Sequence, residues 1–427
     1  MDPPVVERLE RARRRYADQR PLSRELFERA SVVLPAGSTR SVLDVQPFPF
    51  RVAEAHGSRL LDVDGFEYID FLGDFTAGLL GHDPTPVSAA VTARLERGWS
   101  LGATHIDEVR LAELVCGRFP SVEQVRVTNS GTEANLMALQ LARHATGRDV
   151  IVVFDGAYHG GLLYFGPGGQ ALRAPFPYEI VEYNDLAAVT AVFDEHGCEL
   201  AAVLVEPMMG AAGCIRGSEA FLTGLRSLCD RYGVLLVFDE VMTSRMSEGG
   251  AQSRLGVVPD LSTFGKYLAG GMTFGAFGGR SELMAAFDPA RGGTLTHGGT
   301  FNNNVVSMAG GVAALSEVLT AAALDEVFDR GESMRARLAD VLTTSPRPMC
   351  VSGWGSIIGL HTVAGPVTRP ADLATGDAAL RELMFHELLE RGIYIAPRGF
   401  LALSLEITDA DVDTFVDALG DFVASLD

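Results

Sequence analysis

The sequence predicts an α/β protein in which a mostly parallel sheet covered by helices forms a large domain, beside a smaller α+β domain. The first observation is a series of short apolar, largely β-branched runs after about residue 100, namely QVRVT, VIVVF, LAAVLVEP, VLLVFDEV and LSTFG. Strands that are buried on both faces have such continuous apolar runs. The second is that helical stretches such as GTEANLMALQLARHAT separate several of these runs, as crossovers between parallel strands require.

The elements outside the sheet follow in chain order. The first 35 residues are polar and predicted helical, and the arginines at 11–15 are interpreted as a solvated helix face or a packing arm. The segment SRLLDVDGFEYIDF alternates around Asp64 and Gly65 and predicts a β-hairpin. After about Gly310 the pattern is helical up to Val341, followed by two short strand candidates, IIGLHTV and LALSLEI, and a final amphipathic helix. We therefore predict an N-terminal segment 1–57 that contributes to the small domain, a large domain 58–310 and a C-terminal small domain 311–427.

Composition excludes several classes of function. The chain of 427 residues has 35 Lys and Arg against 55 Asp and Glu, a net charge of −20, which disfavours nonspecific binding to nucleic acid or anionic membranes. The five cysteines are scattered without a C-x-x-C pair, which favours reduced thiols and predicts no metal site. The charged start predicts no secretory signal, and no apolar run approaches the ~20 residues that span a bilayer. We expect a cytoplasmic protein.

Ligands of open parallel sheets bind beyond the carboxyl ends of the strands, so the residues after each run are the candidates. QVRVT is followed by NSGTEANL, a small hydroxyl-rich turn that opens a helix. Backbone N–H groups at a helix N-terminus bind phosphate, so Ser130, Gly131 and Thr132 are candidate phosphate ligands. An ordinary helix cap is the alternative interpretation.

Aromatic and acidic side chains follow the next strands. Tyr158 and His159, beside glycines after VIVVF, are candidates for stacking on a flat ligand, or else for packing within their own domain. Glu206 follows LAAVLV, and Asp239 with Glu240 follows VLLVF. A buried carboxylate needs a partner, and a heterocyclic N–H⁺ would suit Asp239; a helix cap or salt bridge is the alternative for each.

Lys266 follows LSTFG and precedes a glycine-rich segment, YLAGGMTFGAFGG. A partly desolvated lysine has a depressed pKa and forms a Schiff base with an aldehyde, although a single lysine usually faces solvent. The order of features decides the interpretation, because a phosphate cradle, a flat-ring stacker, a buried carboxylate and a nucleophilic lysine follow one another at strand ends. Together they meet the needs of pyridoxal 5′-phosphate (PLP).

The motifs NSGTEA, YHG, EPMMG, FDEVMTSR, FGKYLAGG and GGTFNN, in this order over nearly the whole chain, resemble the class III PLP-dependent aminotransferases of fold type I. The resemblance implies that Lys266 carries the cofactor and shuttles protons, that Asp239 pairs with the pyridinium nitrogen, and that Tyr158 and Val241 cover the two ring faces. His159 and Glu206 are also assigned to the cofactor site. Thr300, in GGTFNN, resembles a residue that reaches the phosphate of the neighbouring subunit, which implies a homodimer with shared active sites.

Departures from the family pattern indicate which subgroup of the class III aminotransferases the chain resembles. Ala211 stands where ornithine and γ-aminobutyrate enzymes have the second glutamate of E-P-x-x-x-E, which screens a substrate arginine. DEVM resembles the branch that contains glutamate-1-semialdehyde aminomutase, but Leu401 follows Phe400 where that enzyme has a glutamate. The segments GSTRS, FTAG, GGTFNNN and PRGF resemble the β-amino-acid aminotransferases that act on β-phenylalanine.

In that group the arginines that match Arg40 and Arg398 bind substrate carboxylates, which fits the bidentate fork of a guanidinium. An ordinary ion pair is the alternative for each. Phe75 is a further substrate-site candidate, and an apolar wall could also include Phe48, Phe50, Met208 and Met209, each of which is alternatively a core residue.

The predicted reaction is ping-pong transfer of an amino group from an amino acid, of β type, to a keto acid such as 2-oxoglutarate or pyruvate. Three alternatives stay open: an intramolecular aminomutase, a catalytically silent PLP-binding protein, and a racemase or decarboxylase on the same scaffold. Small-molecule substrates and a second copy of the chain are the expected partners.

Overall fold

The computed structural model describes residues 3–426. Its centre is a sheet of seven strands: β4 (Gln124–Thr128), β5 (Val150–Phe154), β6 (Tyr178–Val181), β7 (Leu200–Val205), β10 (Leu235–Asp239), β11 (Leu261–Gly265) and β12 (Gly275–Gly279). Their order in the sheet is β4-β12-β11-β10-β7-β5-β6, and all neighbours are parallel except those of β12. This agrees with the predicted mostly parallel sheet.

The apolar runs became strands because they are buried on both faces. Every residue of β7, β10 and β11 is buried. The sequence analysis did not predict β12, whose sequence GAFGG has no β-branched residue. Its glycines are required by close packing, since a β-carbon at Gly275 would lie 2.1 Å from the Ser130 carbonyl oxygen and one at Gly279 2.4 Å from that of Asp260.

Helices cover the sheet and are positioned by local signals. Ser130, Asp185 and Ser218 are the N-caps of three of them, each accepting a hydrogen bond from a backbone N–H in the first turn. The helices of this part of the chain are α3 (Thr85–Leu95), α4 (Ile106–Arg118), α5 (Gly131–Thr146), α6 (Leu186–His196), α7 (Glu219–Tyr232), α8 (Gly250–Leu255), α9 (Ser281–Met284) and α10 (Val305–Ala313). A short ribbon of β8 (Met208–Met209) and β9 (Ile215–Arg216) follows β7.

The small domain joins both ends of the chain. The predicted hairpin forms as β2 (Arg59–Asp62) and β3 (Glu67–Asp70), and β1 (Val52–His56) and β15 (Ile393–Tyr394) complete its sheet. The second sheet and the remaining helices are β13 (Cys350–Trp354), β14 (Ile357–His361), β16 (Phe400–Ala402), α1 (Pro3–Gln19), α2 (Pro21–Val33), α11 (Ala321–Thr343), α12 (Ala378–Glu390) and α13 (Asp409–Ala424). β3 pairs in parallel with β15, so strands from both ends of the chain share this sheet.

The arginine-rich face of α1 is a packing arm. Arg13 forms a bidentate ion pair with Glu382 of α12, with Nε and Nη2 each 2.7 Å from a carboxylate oxygen. Arg15 lies 2.5 Å from Glu390 at the other end of the same helix. The N-terminal helix is thereby fixed to the C-terminal half of the chain.

Among the described residues no single helix is long and apolar enough to cross a membrane, and only one pair of helical segments, Val305–Val318 with Ala321–Thr343, meets the length and composition criteria when combined across a 77° bend.

Candidate functional site

Lys266 lies directly after β11, at the carboxyl edge of the central sheet. Its backbone has φ 56°, in the left-handed region, which turns the chain sharply after Gly265. The side chain is half-buried, and burial lowers the pKa of Lys266 to about 8, against the opposing effect of the negative charges of Asp239 and Glu206. A larger fraction of this amine is therefore neutral near pH 7 than of an ordinary lysine.

Asp239 ends the neighbouring strand β10, and Asn135 and His159 fix its carboxylate. Asn135 Nδ2 donates to Asp239 Oδ2 at 2.9 Å, and His159 Nδ1 lies 2.8 Å from the same oxygen. The Asn135 carbonyl oxygen in turn accepts from Thr263 Oγ1 of β11 at 2.7 Å. Within residues 3–426, Asp239 Oδ1 accepts only from the backbone N–H of Val241, at 3.0 Å. The carboxylate is thus held in one orientation by three elements of the sheet and its helices.

His159 was a candidate for stacking on a flat ligand together with Tyr158, and the structure places the two side chains differently. His159 is buried against Asp239, and its Nε2 has no partner among the described residues. Tyr158 is 45% exposed at the mouth of the site, so its ring is the one that can cover a bound ligand. His159 would act on a cofactor through Asp239.

Glu206 lies behind the Tyr158 loop. Its Oε1 accepts from the backbone N–H of Tyr158 at 3.1 Å and its Oε2 from that of Gly210 at 3.0 Å. Burial raises the pKa of Glu206 to about 7. Glu240, in contrast, accepts from Thr243, Ala251 and Gln252 away from this edge, which is the structural role left open for it.

The turn at Ser130 has the geometry of an ordinary helix cap and also that of a phosphate-binding helix N-terminus. Ser130 Oγ caps α5 by accepting from Glu133 N at 3.2 Å. The N–H groups of Gly131 and Thr132 lie in the first helical turn, where a helix supplies no acceptor, so they stay available to an anion. A β-carbon at Gly131 would lie 2.8 Å from Val241 Cγ2, which places the Val241 side chain beside this cradle.

The two candidate arginines differ in their partners. Arg40 Nη2 donates to Asp74 Oδ1 at 2.9 Å, an exposed ion pair. Arg398 has no ion pair among the described residues, and its guanidinium carbon lies 5.0 Å from the ring centroid of Phe75 and 5.3 Å from that of Phe400. Burial lowers the pKa of Arg398. The cation–π contacts position an arginine whose hydrogen-bond donors are unused.

The charges of these arginines and of Asp74 also affect the pKa values of Lys266 and Tyr158. Burial raises the pKa of Tyr158, while the positive charges of Arg398 and Arg40 oppose that rise. The negative charge of Asp74 and the positive charge of Arg398 both act on the pKa of Lys266. Arg398 is therefore close enough to act on both Lys266 and Tyr158, and Arg40 is close enough to act on Tyr158.

Some predicted residues lie elsewhere. Phe48 packs on Tyr16 and Phe27, with centroids 5.3 and 6.2 Å apart, and Phe50 packs on Tyr68 and Tyr394 in the small-domain core. Met208 shares an apolar cluster with Phe75 and Phe400, whereas Met209 belongs to the large-domain core. Of the proposed apolar wall, Phe75 contacts Arg398, and Met208 lies in the same apolar cluster as Phe75.

Thr300 lies on an exposed segment and is not brought to the Ser130 turn of its own chain. Its neighbour Asn302 reaches that region, since Asn129 Nδ2 donates to Asn302 Oδ1 at 2.9 Å. The placement is compatible with a contact to a second subunit.

Sequence reasoning missed Asn135, Thr263 and Asp74. Asn135 carried a signal, since it lies one helical turn after Gly131 and so shares a helix face with the cradle. Asp74 carried none, because its role depends on a turn in which Asp74 and Phe75 both have positive φ, 41° and 53°.

These residues fit PLP, because a helix N-terminus for the phosphate, a fixed buried carboxylate, an open aromatic ring and a buried amine of lowered pKa meet at one sheet edge. The fold and this set define an enzyme of the PLP-dependent fold type I class.

The comparisons with known proteins identify the family. The profile of the class III aminotransferases matches residues 42–423, and the chain belongs to this family of PLP-dependent aminotransferases. It is similar to the β-phenylalanine transaminase of Variovorax paradoxus, with 48% identity over 96% of this chain and 95% of that protein. A crystal structure of a β-phenylalanine aminotransferase from V. paradoxus superposes with a TM-score of 0.97 at 47% identity, covering 99% of this chain and 98% of the other. The glutamate-1-semialdehyde 2,1-aminomutase of Nitratidesulfovibrio vulgaris (strain DSM 19637 / Miyazaki F) is 40% identical over 93% of this chain and 97% of that enzyme.

The lowered pKa of Lys266 makes cofactor capture pH-dependent. We expect covalent attachment of PLP to the apoprotein to accelerate with rising pH and to reach half its maximal rate near pH 8, because only the neutral amine attacks an aldehyde. Stopped-flow absorbance between pH 6 and 10 measures this. Lys266→Arg, which keeps the charge, should develop no visible band. A midpoint near 10.5, the ordinary value for lysine, would contradict the burial of the amine.

Proposed function

We propose that the enzyme transfers the amino group of a β-amino acid, aromatic or aliphatic, to a keto acid such as 2-oxoglutarate or pyruvate by a ping-pong mechanism. The observation that carries this proposal is the guanidinium of Arg398, which has no ion pair in the described part of the chain and whose charge acts on the Lys266 amine. A carboxylate that is seated on Arg398 is held beside the reacting centre. The 48% identity with a β-phenylalanine transaminase supports the donor class.

Each residue of the site has a role in this reaction. PLP supplies an electron sink when bound. Lys266 would take the proton from the substrate carbon that bears nitrogen and return it to the bound cofactor. Asp239, fixed by Asn135 and His159, would keep the ring nitrogen of that cofactor protonated. Glu206 ties down the Tyr158 loop through its backbone N–H.

The remaining residues would hold the cofactor in place. Tyr158 and Val241 would cover the two faces of its ring. Ser130, Gly131 and Thr132 would bind the phosphate at the start of α5. Thr300 of a second subunit would complete the phosphate site.

Two arginines suit substrates of different reach. A β-amino acid has its carboxylate one methylene further from the amine than an α-amino acid has. Arg40 is engaged by Asp74, so a substrate carboxylate must displace an exposed ion pair, which costs little. Arg398 needs no such displacement. Phe75 contacts Arg398 and forms an apolar surface next to it for the donor side chain.

The intramolecular aminomutase is the second candidate, because glutamate-1-semialdehyde 2,1-aminomutases are 40% identical. Leu401, fully buried, stands where the motif of that enzyme has a glutamate, which disfavours this alternative. Turnover with no keto acid present would identify an aminomutase, whereas a transaminase stops after one half-reaction.

The donor half-reaction tests the proposal. We expect β-phenylalanine to remove the visible band of the PLP-loaded enzyme, and Arg398→Gln and Arg40→Gln each to raise the apparent Kd for the β-amino acids that they bind by about tenfold or more, as loss of a charged hydrogen bond predicts. Arg14→Gln, on the exposed face of α1, is the matched control. A band that responds to α- but not to β-amino acids would refute the donor assignment.

We also propose a cytoplasmic homodimer. The five cysteines are all free thiols, as in a reducing compartment. The exposed position of Thr300 suits a residue that acts in the partner's site. Sedimentation velocity of the holoprotein measures the assembly.

A further inference from the structure

The ring of Tyr158 has a single aromatic neighbour among the described residues, Tyr164. The two ring centroids are 5.6 Å apart and the ring planes are inclined at 64°, which is an edge-to-face contact. Tyr158 is 45% exposed, whereas Tyr164 is half-buried. A ring that is exposed to this degree takes its orientation from the few contacts that it has, so Tyr164 is the residue that can fix it.

The backbone places the two tyrosine side chains on one face of a short antiparallel ladder. The N–H groups of His159 and Phe165 donate to carbonyl oxygens of the opposite segment, at 2.9 and 2.8 Å. Tyr158 and Tyr164 are paired across the ladder between these two hydrogen bonds. They form a non-hydrogen-bonded pair, the position at which opposite side chains approach most closely. The contact between the rings therefore follows from the register of the ladder.

Glycines leave room for the ring of Tyr164 and hold it in place. A β-carbon at Gly166 would lie 2.5 Å from Tyr164 Oη, and one at Gly169 would lie 2.7 Å from Cδ1 of the same ring. Arg173 Nε donates to the Tyr164 carbonyl oxygen at 3.3 Å. Within residues 3–426 the Tyr164 hydroxyl forms no hydrogen bond, so the side chain is positioned by the packing of its ring alone.

The base of the loop that carries both tyrosines is fixed to the candidate cofactor site by other contacts. A β-carbon at Gly160 would lie 2.0 Å from Thr132 Oγ1, so the loop packs closely against the candidate phosphate cradle. Glu206 Oε1 accepts from the backbone N–H of Tyr158 at 3.1 Å. Removal of the Tyr164 ring should therefore leave the cradle and the backbone of the loop in place and change only the contact between the rings.

We propose that Tyr164 is a positioning residue that holds the Tyr158 ring over the ring of the bound cofactor. The inference rests on the role of Tyr158 in the proposed function, and it assigns Tyr164 an effect that passes only through Tyr158. Packing across the pair limits the rotation of a side chain that is otherwise half-exposed, so the free protein already has the ring orientation that binding requires. The gain is in affinity for the ring of the ligand and not for its phosphate.

Pyridoxamine 5′-phosphate is the probe, because it has no aldehyde to react with Lys266 and its Kd reports the noncovalent contacts alone. It is titrated by calorimetry into the apoprotein, and inorganic phosphate is titrated in parallel. We expect Tyr164→Leu to weaken pyridoxamine 5′-phosphate about fivefold, the size expected for an aromatic pair, and phosphate less than twofold. Tyr164→Phe should change neither by more than twofold, because the hydroxyl has no partner.

Two results of these titrations would overturn the proposal. One is unchanged binding of pyridoxamine 5′-phosphate in Tyr164→Leu. The other is an equal loss for pyridoxamine 5′-phosphate and for inorganic phosphate, since that would show general damage to the loop and to the cradle against which it packs.

A double-mutant cycle shows whether Tyr164 acts through Tyr158. In the Tyr158→Ala background, Tyr164→Leu should weaken pyridoxamine 5′-phosphate less than twofold, because the ring that it positions is gone. A fivefold loss in both backgrounds would overturn the proposal. Weaker binding in Tyr158→Ala with none in Tyr164→Leu would refute this inference alone, whereas unchanged binding in Tyr158→Ala would refute the role of Tyr158 in the proposed function and this inference with it.

Gly166→Ala keeps the test valid if Tyr164→Leu fails to fold. The added methyl group must displace the Tyr164 ring while both tyrosines remain, and Gly166 does not have the positive φ that would strain an alanine. This variant should also weaken pyridoxamine 5′-phosphate about fivefold and phosphate less than twofold. Gly161→Ala, in the same loop with no atom within 4 Å of the added carbon, is the matched control and should change neither. Equal binding of pyridoxamine 5′-phosphate by the two alanine variants would overturn the proposal.

Discussion

Lys266→Ala is expected to abolish the visible absorption of the PLP-loaded enzyme and to lower the donor half-reaction rate by a factor on the order of 10⁴, the upper range for loss of a general acid–base group. The reason is that the proposed function makes Lys266 both the nucleophile and the proton carrier, and burial lowers the pKa of its amine to about 8. Absorbance spectra after reconstitution and single-turnover kinetics with β-phenylalanine measure the two effects.

The Lys266→Ala substitution is not expected to disturb folding, so its effect on activity can be assigned to the lost amine. Lys266 has φ 56°, and alanine has the same β-carbon cost in this region as lysine, so the substitution adds no backbone strain. Removing a buried amine relieves a desolvation penalty, and the apoprotein of the variant should therefore unfold at no lower temperature than wild type. Partial recovery of turnover by an added small alkylamine would show that the missing element is the proton carrier. Full turnover without any amine would refute the assignment of Lys266.

The location of the site was predictable from sequence because parallel strands end at one edge of a sheet. β10 and β11 are neighbours in register, with Asp239 opposite Thr263, so the acid after one run and the lysine after the next had to lie close together. The strands were predictable as continuous apolar runs because they are buried along their whole length, and β7, β10 and β11 have no exposed residue. The apolar runs and the residues that follow them were enough to predict the fold class and the main cofactor-binding candidates.

What could not be predicted depends on contacts between distant segments. The glycine-rich β12 is a strand because its neighbours leave no room for side chains, a constraint invisible in GAFGG itself. The direction of the His159 ring was likewise undetermined, because a histidine after a strand can face a ligand or the carboxylate of the next strand. The ion pair of Arg40 needs Asp74, which a turn with positive φ presents.

Asp239→Asn is expected to retain PLP but to lower the rate of the donor half-reaction by about 10³-fold, a loss of ~4 kcal/mol in transition-state stabilisation. Asparagine keeps the shape and one carbonyl oxygen but removes the charge. A full charge pair at about 3 Å is worth ~5 kcal/mol at an effective dielectric constant of about 20, so a loss of this size corresponds to most of the interaction.

The hydrogen-bond network around Asp239 makes the test specific. Asn135 and His159 both contact Oδ2, and the Thr263 hydroxyl fixes the amide of Asn135, so the carboxylate orientation does not depend on the cofactor. His159→Gln should therefore cost less than Asp239→Asn, about tenfold, because it loosens the carboxylate without removing its charge.

Reconstitution of Asp239→Asn with PLP methylated at the ring nitrogen separates charge from structure. The methylated ring carries a permanent positive charge, so the variant should regain most of the lost rate if Asp239 acts only by keeping that nitrogen cationic. Single-turnover rates with both cofactors, measured beside Lys266→Ala, provide the comparison. Equal rates with the two cofactors would mean that Asp239 holds the site together mechanically, and the electron-sink role would then have to be assigned to another group.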